Sequence, residues 1–322
     1  MTWLKRKETI IVIPVFDTLL IMSLRILYVS SYIALRVIFR LILGKERRDK
    51  LFTKKGIFFN YEFDIIPAYF EVKLLNRIMK FLNLRDTNLI RIQVPNYNYS
   101  AYCPVTKNDL MNMSVREDEL IHNFSPNKGE TFIDVGAHIG RYTLISSKYV
   151  GSDGKVIAIE ADPKNFEILN RNLSLNKVTN VISLNAAAYS ERRKLRLYSA
   201  SYKPGYSIYN TVVLERLKPA GFVEVHADTL DRIIESERIK PEEINWIKID
   251  VEGAELEVLK GATIILSKSK NLSILIEIHL LSGGKTLYQS IVDLLSMYKI
   301  FVEYEEVHKG GEKHIIARKI ST

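Results

Sequence analysis

Cysteine is almost missing from this chain: of 322 residues only Cys103 is one. No disulfide can form within it, and no metal centre can be built on paired thiolates. A reducing compartment suits such a sequence, with the lone thiol a small packed side chain. Internal repeats and low-complexity tracts are missing as well. So, over most of the length, is an excess of charge of one sign: residues 56–322 hold 34 Lys or Arg against 33 Asp or Glu. The net charge of +9 is concentrated in residues 1–55, where twelve basic residues face four acids. That placement argues against nucleic acid as a partner, because a phosphate-binding surface needs its basic residues on the folded core. What is present is apolar material, 47% of the chain, enough for a full core.

Residues 1–55 read as a basic, hydrophobic, membrane-associating segment. Ile10 to Leu43 is apolar with few interruptions, but Arg25 falls in its middle, and an arginine at the bilayer centre costs about 2.5–3.5 kcal/mol. On a helix Arg25, Arg36 and Arg40 share a stripe within about 60°, with Tyr28 and Tyr32 close to it. One cationic seam on an apolar helix is the pattern of a helix lying in the membrane interface. Lys45, Arg47, Arg48, Lys50, Lys54 and Lys55 follow and would be drawn to an anionic cytoplasmic leaflet. The alternatives are a true span, which keeps the carboxyl-terminal side cytoplasmic, a cleaved signal peptide, and an amphipathic helix buried against protein.

Residues 56–128 read as a small lead-in subdomain, and 129–322 as an α/β domain. Strands are expected near 131–135, 155–160, 181–186, 244–250, 272–278, 299–305 and 313–318, with helical stretches between several of them. Runs such as "VIAIE" are apolar without alternation, which implies burial on both faces and a mostly parallel, seven-stranded Rossmann-like sheet. An insertion at 193–227, rich in Tyr and Ser, reads as β-hairpins.

The stretch "TFIDVGAHIGRYT", 131–143, is a strand, a glycine turn and a helix start. Gly136 and Gly140 bracket Ala137 and His138, in a unit that brings backbone N–H groups and a helix N-terminus towards a ligand. The spacing Gly-x-x-x-Gly is not that of dinucleotide folds, and Asp134, two residues before the first glycine, argues against a pyrophosphate. A carboxylate there suits a ligand carrying an ammonium group, as S-adenosylmethionine does. Glu160, 24 positions after Gly136, ends the second strand where an acid accepts both ribose hydroxyls. Ala161 follows it, and Asp162 and Pro163 then open a helix as cap and first turn. Asn185 and Ala187, at the end of the third strand, sit where small residues let an adenine ring lie against the backbone.

In "INWIKIDVEGAE", 244–255, Lys248 and Asp250 share one face of a strand. Glu252 follows on a turn permitted by Gly253. Glu255 starts the next helix, where an acid is also simply stabilising. "LIEIHL" puts Glu277 and His279 on one face of the neighbouring strand. Such a group can deprotonate a hydroxyl or hold a divalent metal.

"TFIDVGAHIGRYTL", "VIAIEADPKNFEILNRNLSLN", "ADTLDRII" and "WIKIDVEGAELEVLKGA" together resemble the FkbM family of S-adenosylmethionine-dependent methyltransferases, over about residues 115–318. The resemblance implies a class I methyltransferase fold, cofactor contacts from Asp134, Gly136, Gly140 and Glu160, and methylation of a hydroxyl oxygen on a sugar, polyketide or other small molecule. His138 stands where the family often has Asn. The expected chemistry is in-line methyl transfer to oxygen, with Asp250 or His279 as base and Lys248 and Glu252 as orienting partners. A metal bridging Asp250, Glu277 and His279 is a variant of it. With the basic segment, the acceptor expected is a sugar, lipid-linked glycan or other small molecule at the cytoplasmic side of a membrane, or in the cytoplasm. Rival readings are a nicotinamide-dependent oxidoreductase and a membrane-attached module that binds cofactor without catalysis.

Overall fold

A computed structural model describes residues 12–13, 89–94, 99–104, 123–199, 206–207, 221–279, 287–307 and 311–320. The chain divides into two compact units, Met1–Ser114 and Val115–Thr322. In the first, β1 (Val12–Ile13), β2 (Leu89–Val94) and β3 (Tyr99–Pro104) form a sheet in that order, β1 parallel and β3 antiparallel to β2. Tyr99, Ala101 and Cys103 alternate along β3 and are buried, so the single thiol is packed. Apart from β1, the expected interfacial helix of residues 10–43 lies outside the described residues. Among the described residues no helix is long and apolar enough to cross a membrane.

In the second unit the described strands of the main sheet are β4 (Thr131–Val135), β5 (Lys155–Ile159), β6 (Val181–Leu184), β11 (Ile244–Ile249), β12 (Ser273–Ile278), β13 (Ile300–Val307) and β14 (Lys313–Lys319). Their order is β13-β14-β12-β11-β4-β5-β6, and only β14 runs against its neighbours. This is the mostly parallel, seven-stranded methyltransferase sheet that the sequence leads one to expect. Parallel strands need crossovers, and helices α1 (Arg141–Val150) and α2 (Pro163–Leu175) supply the first two.

Both faces of the central strands are buried, which is why their sequences run apolar without alternation. Ile133, Val135, Ile247, Ile249, Ile274 and Ile276 join one core cluster. On the opposite face Phe124, Phe132, Tyr142 and Trp246 form an edge-to-face aromatic group, with Phe124 5.2 Å from both Phe132 and Trp246 and 5.4 Å from Tyr142. Phe124 precedes the first strand of the sheet, so the end of the expected lead-in subdomain packs as part of the α/β unit.

The insertion forms a second sheet, in order β7-β10-β8-β9: β7 (Ala187–Tyr189), β8 (Arg193–Ser199), β9 (Tyr206–Ser207) and β10 (Gly221–Thr229). β8 pairs antiparallel with β10, as hairpins require, while β7 lies parallel to β10. β10 leads directly into α3 (Leu230–Ser236), capped by the Thr229 side chain. Asp231 on α3 accepts the N–H groups of Ile264 and Ile265 at 2.8 and 3.0 Å, so it caps α5 (Thr263–Lys268) from outside. The second acid of "ADTLDRII", Asp231, is therefore structural: it ties two helices together.

Candidate active site

The glycine turn is fixed from below and from both sides. Gly136 and Ala137 donate their N–H groups to the carbonyl of Ile159, and Gly140 donates to that of Ala137. Asn172, fully buried on α2, donates from its side chain to the carbonyl of Ile139 at 2.8 Å. These three N–H groups are thus spent within the protein, and the two glycines act by letting backbones approach. Gly136 has φ 77°, and a Cβ on it would lie 1.8 Å from the carbonyl oxygen of Asp250. A Cβ on Gly140, at φ 100°, would meet Leu169 of α2 at 2.7 Å. Only glycine allows β4, β11 and α2 to meet at this point.

Glu160 sits at the carboxyl end of β5 and is buried. It accepts the N–H of His138 at 2.7 Å on one oxygen and that of Asp162 at 2.9 Å on the other. Burial pushes its carboxyl above the usual range, with His138 and these hydrogen bonds opposing. The bonds fix the carboxylate in one orientation, and its remaining lone pairs can accept the two hydroxyls of a ribose. His138, held at φ 51°, contributes its backbone to this arrangement. Asn185 is exposed and donates to the carbonyls of Glu160 and Ala161 at 2.9 and 3.2 Å, bracing the same strand end. Ala187 packs with Leu197, Val225 and Ala227 in the core of the second sheet.

Asp134 is fully buried. Thr143 of α1 donates to it at 2.6 Å, and the Nζ of Lys248 lies 3.5 Å away. Its nearest cation is therefore one of the chain's own. In-register pairing of β4 with β11 sets Lys248 opposite Asp134, so both side chains leave the sheet on one face. The lysine also donates to the carbonyl of Gly136 and to Asp250, each at 3.2 Å, and lies 5.1 Å from the centre of the Tyr142 ring. Burial opposes its charge, but Asp250 and then Asp134 outweigh burial and hold the ammonium well above the lysine range.

Past the end of β11, Asp250, Glu252 and His279 converge, with one ligating atom from each within 4.8 Å of the others. Their side chains are 29%, 44% and 12% exposed, so the group opens to solvent. Glu252 has φ 55° and is followed by Gly253 at φ 109°, a left-handed pair that swings the Glu252 carboxylate back over the strand end. Glu255, first residue of α4 (Glu255–Lys260), is wholly buried; it accepts the N–H of Gly253 at 2.7 Å and the Nδ1–H of His279 at 2.9 Å. This is the functional contact that sequence reasoning missed, because an acid at a helix start has a sufficient explanation without it. Glu277, expected to join His279, is instead drawn to His314 at 3.0 Å and lies 3.6 Å from the histidine's Nε2.

The electrostatics separate the three titratable groups. Burial raises Asp250, but Lys248 and then His279 outweigh it and hold this carboxyl below its usual range. Burial is the main cause that pushes Glu252 up to about 7, against the pull of His279. Burial would lower His279, yet Glu255 and Glu252 overcome it and push the imidazole up to about 11. Without another cation at its ring, His279 is an imidazolium at neutral pH. It then has no lone pair with which to take a proton.

Known proteins can now be set beside this geometry. The family profile described as the methyltransferase FkbM domain matches residues 134–306. The methyltransferase sdnD of Sordaria araneosa is 34% identical over 155 residues, covering 40% of this chain and 59% of its own length. The hexuronic acid methyltransferase AglP of Haloferax volcanii is 30% identical over 187 residues, covering 58% of this chain and 69% of its own. This chain thus spans about three fifths of the first relative and about two thirds of the second. Among solved structures, the methyltransferase FkbM from Methylobacillus flagellatus is similar over 59% of this chain and 43% of that one, at 19% identity and a TM-score of 0.41.

Proposed function

The chain belongs to the FkbM methyltransferase family, and from that premise we propose that it transfers a methyl group from S-adenosylmethionine to a hydroxyl oxygen of a sugar or sugar-containing lipid. The observation that carries this reading is the position of Lys248. Its Nζ touches the carbonyl of Gly136 in the glycine turn and the carboxylate of Asp250 in the acid–histidine group, each at 3.2 Å. One buried cation thereby couples the crevice that fits a cofactor to the group that fits an acceptor.

The residues present fit the cofactor. Glu160 takes the ribose hydroxyls, Ala161 and Asn185 shape the strand end beyond it, and the Gly136–Gly140 turn leaves room for the aminoacyl part. Asp134 acts through Lys248 and Thr143, keeping the floor of the crevice in place. When bound, S-adenosylmethionine supplies an electrophilic methyl on a sulfonium. The protein's task is then to present an acceptor oxygen in line and to remove its proton. Glu252, the most open carboxylate of the group, takes that proton; Asp250 and His279 orient the hydroxyl, the first as acceptor and the second as donor. The proton leaves the acceptor O–H as the O–CH3 bond forms and the S–CH3 bond breaks.

A sugar acceptor is supported by the hexuronic acid methyltransferase among the relatives. A lipid-linked one at a membrane surface is supported by the basic, apolar segment of residues 1–55. The test is incubation of the full chain with methyl-labelled S-adenosylmethionine and fractionated cell extract. Label in glycan or glycolipid is expected; label confined to protein or RNA refutes the reading.

A further inference from the structure

The ring of His279 is oriented in a way that a proton-bearing partner alone does not require. Its Nδ1–H is donated to Glu255, a carboxylate that is fully buried and whose Oε2 has no hydrogen-bond partner among the described residues. Nε2 is thereby aimed outward at the carboxylates. The nearest carboxylate oxygens among the described residues are Glu252 Oε2 at 3.5 Å and Glu277 Oε1 at 3.6 Å, longer than ordinary hydrogen bonds. Two ligands at about 2.1 Å from one ion stand about 3.0–3.5 Å apart. A histidine fixed by a carboxylate on one nitrogen, with the other facing Glu252 Oε2 at the upper end of that range and Asp250 within 4.8 Å, is the arrangement that presents imidazole to a metal.

Charge points the same way. Lys248 is shared between Asp134 and Asp250, and His314 is engaged by Glu277. Among the described residues Glu252 and Glu255 are ion-paired only with His279. With the imidazole neutral, as a ligand must be, this group of carboxylates is left with an excess of negative charge that a divalent cation offsets.

We infer that Asp250, Glu252 and His279 form a divalent-cation site at the mouth of the acceptor crevice, with Glu255 as the residue that positions the histidine. Two oxygens and one imidazole nitrogen suit an ion that accepts both donors, such as Mn2+. The ion displaces the proton of Nε2 and, where it is bound, replaces the His279 N–H as the group that orients the acceptor oxygen. Glu252 binds it through Oε2, and its other oxygen stays open to the acceptor. Only the use of the site rests on the proposed methyl transfer: an acceptor hydroxyl bound to the ion is acidified, and its proton passes to that second oxygen. The acceptor class narrows to molecules offering two neighbouring oxygens, such as a vicinal diol or a sugar acid, which chelate the open positions. The site differs from the one read from sequence in that Glu252 replaces Glu277.

The test is titration of MnCl2 into the chelator-treated full chain, with the free ion followed by electron paramagnetic resonance. Wild type is expected to show a Mn2+ site that Glu252→Gln and His279→Gln each weaken tenfold or more, while Glu277→Gln changes it less than threefold. Glu252 lies on an open turn, so its variant keeps the test informative where His279→Gln fails to fold. No binding, or binding that none of the variants alters, overturns the inference; a tenfold loss with Glu277→Gln overturns the ligand set. Calorimetry with S-adenosylmethionine on the same samples separates the two proposals. Cofactor binding without the Mn2+ site sinks the site alone, and the Mn2+ site without cofactor binding sinks the methyltransferase reading alone.

Discussion

Lys248 and Asp134 face each other across paired strands, Nζ 3.5 Å from Oδ1, with both side chains almost wholly out of water. Removing the cation leaves a buried carboxylate unpaired, which costs about 3–5 kcal/mol. Lys248→Met is therefore expected to lower the unfolding free energy by about 3 kcal/mol, measured by urea denaturation. Adding Asp134→Asn should restore more than half of that loss while leaving cofactor affinity low. Two losses that simply add would contradict the pairing.

Gly136 and Gly151 both have left-handed φ values, but only Gly136 has backbone where a Cβ would go. Gly151→Ala should cost about 1 kcal/mol from the backbone conformation alone. Gly136→Ala should cost several times more and abolish cofactor binding. Thermal melts of the two variants make the comparison, and equal shifts would show that the close approach to Asp250 is unimportant.

Glu160 is pushed up by burial, so the folded chain holds this proton more tightly than the unfolded chain does. Its contribution to stability is present at acid pH and is lost as pH rises from the ordinary carboxyl range through the raised value. Glu160→Gln is expected to remove part of the decline in stability as pH rises above the ordinary carboxyl range. Scanning calorimetry of the cofactor-free protein checks this, and identical pH slopes would contradict it.

His279 in cation-free protein is expected to stay doubly protonated across neutral pH and to titrate near 11. Its stabilising contribution is complete below the ordinary histidine range and is lost as pH rises through that value. Glu255→Gln should bring the titration down, as seen by 15N spectroscopy of the imidazole. A wild-type titration near 6.5 would contradict the account.

Much of this was legible in the sequence for simple reasons. β4 and β5 are five-residue apolar runs next to glycine or Asp-Pro signals, so their ends were fixed to within a residue. The Asp162 cap was readable because Pro163 follows it, and its side chain does accept from Lys164 and Asn165. What could not be read was pairing across the fold. Lys248 meets Asp134 only because β11 lies beside β4, and Glu277 turns to His314 only because β14 pairs with β12. Glu255 reaches His279, 24 residues away, for the same kind of reason. The proposed roles at the site therefore differ from the sequence expectation: in the cation-free protein His279 is held protonated rather than ready to accept a proton, and Glu252 is the most exposed carboxylate of the group.

The most direct test of the central claim is calorimetric titration of the full chain with S-adenosylmethionine, for wild type, Glu160→Ala and Asp250→Asn. The account predicts saturable binding by wild type, affinity at least tenfold weaker in Glu160→Ala, and near-normal affinity with lost methyl transfer in Asp250→Asn. Wild-type protein that binds no S-adenosylmethionine, or a Glu160→Ala variant that binds it as well as wild type, would contradict it.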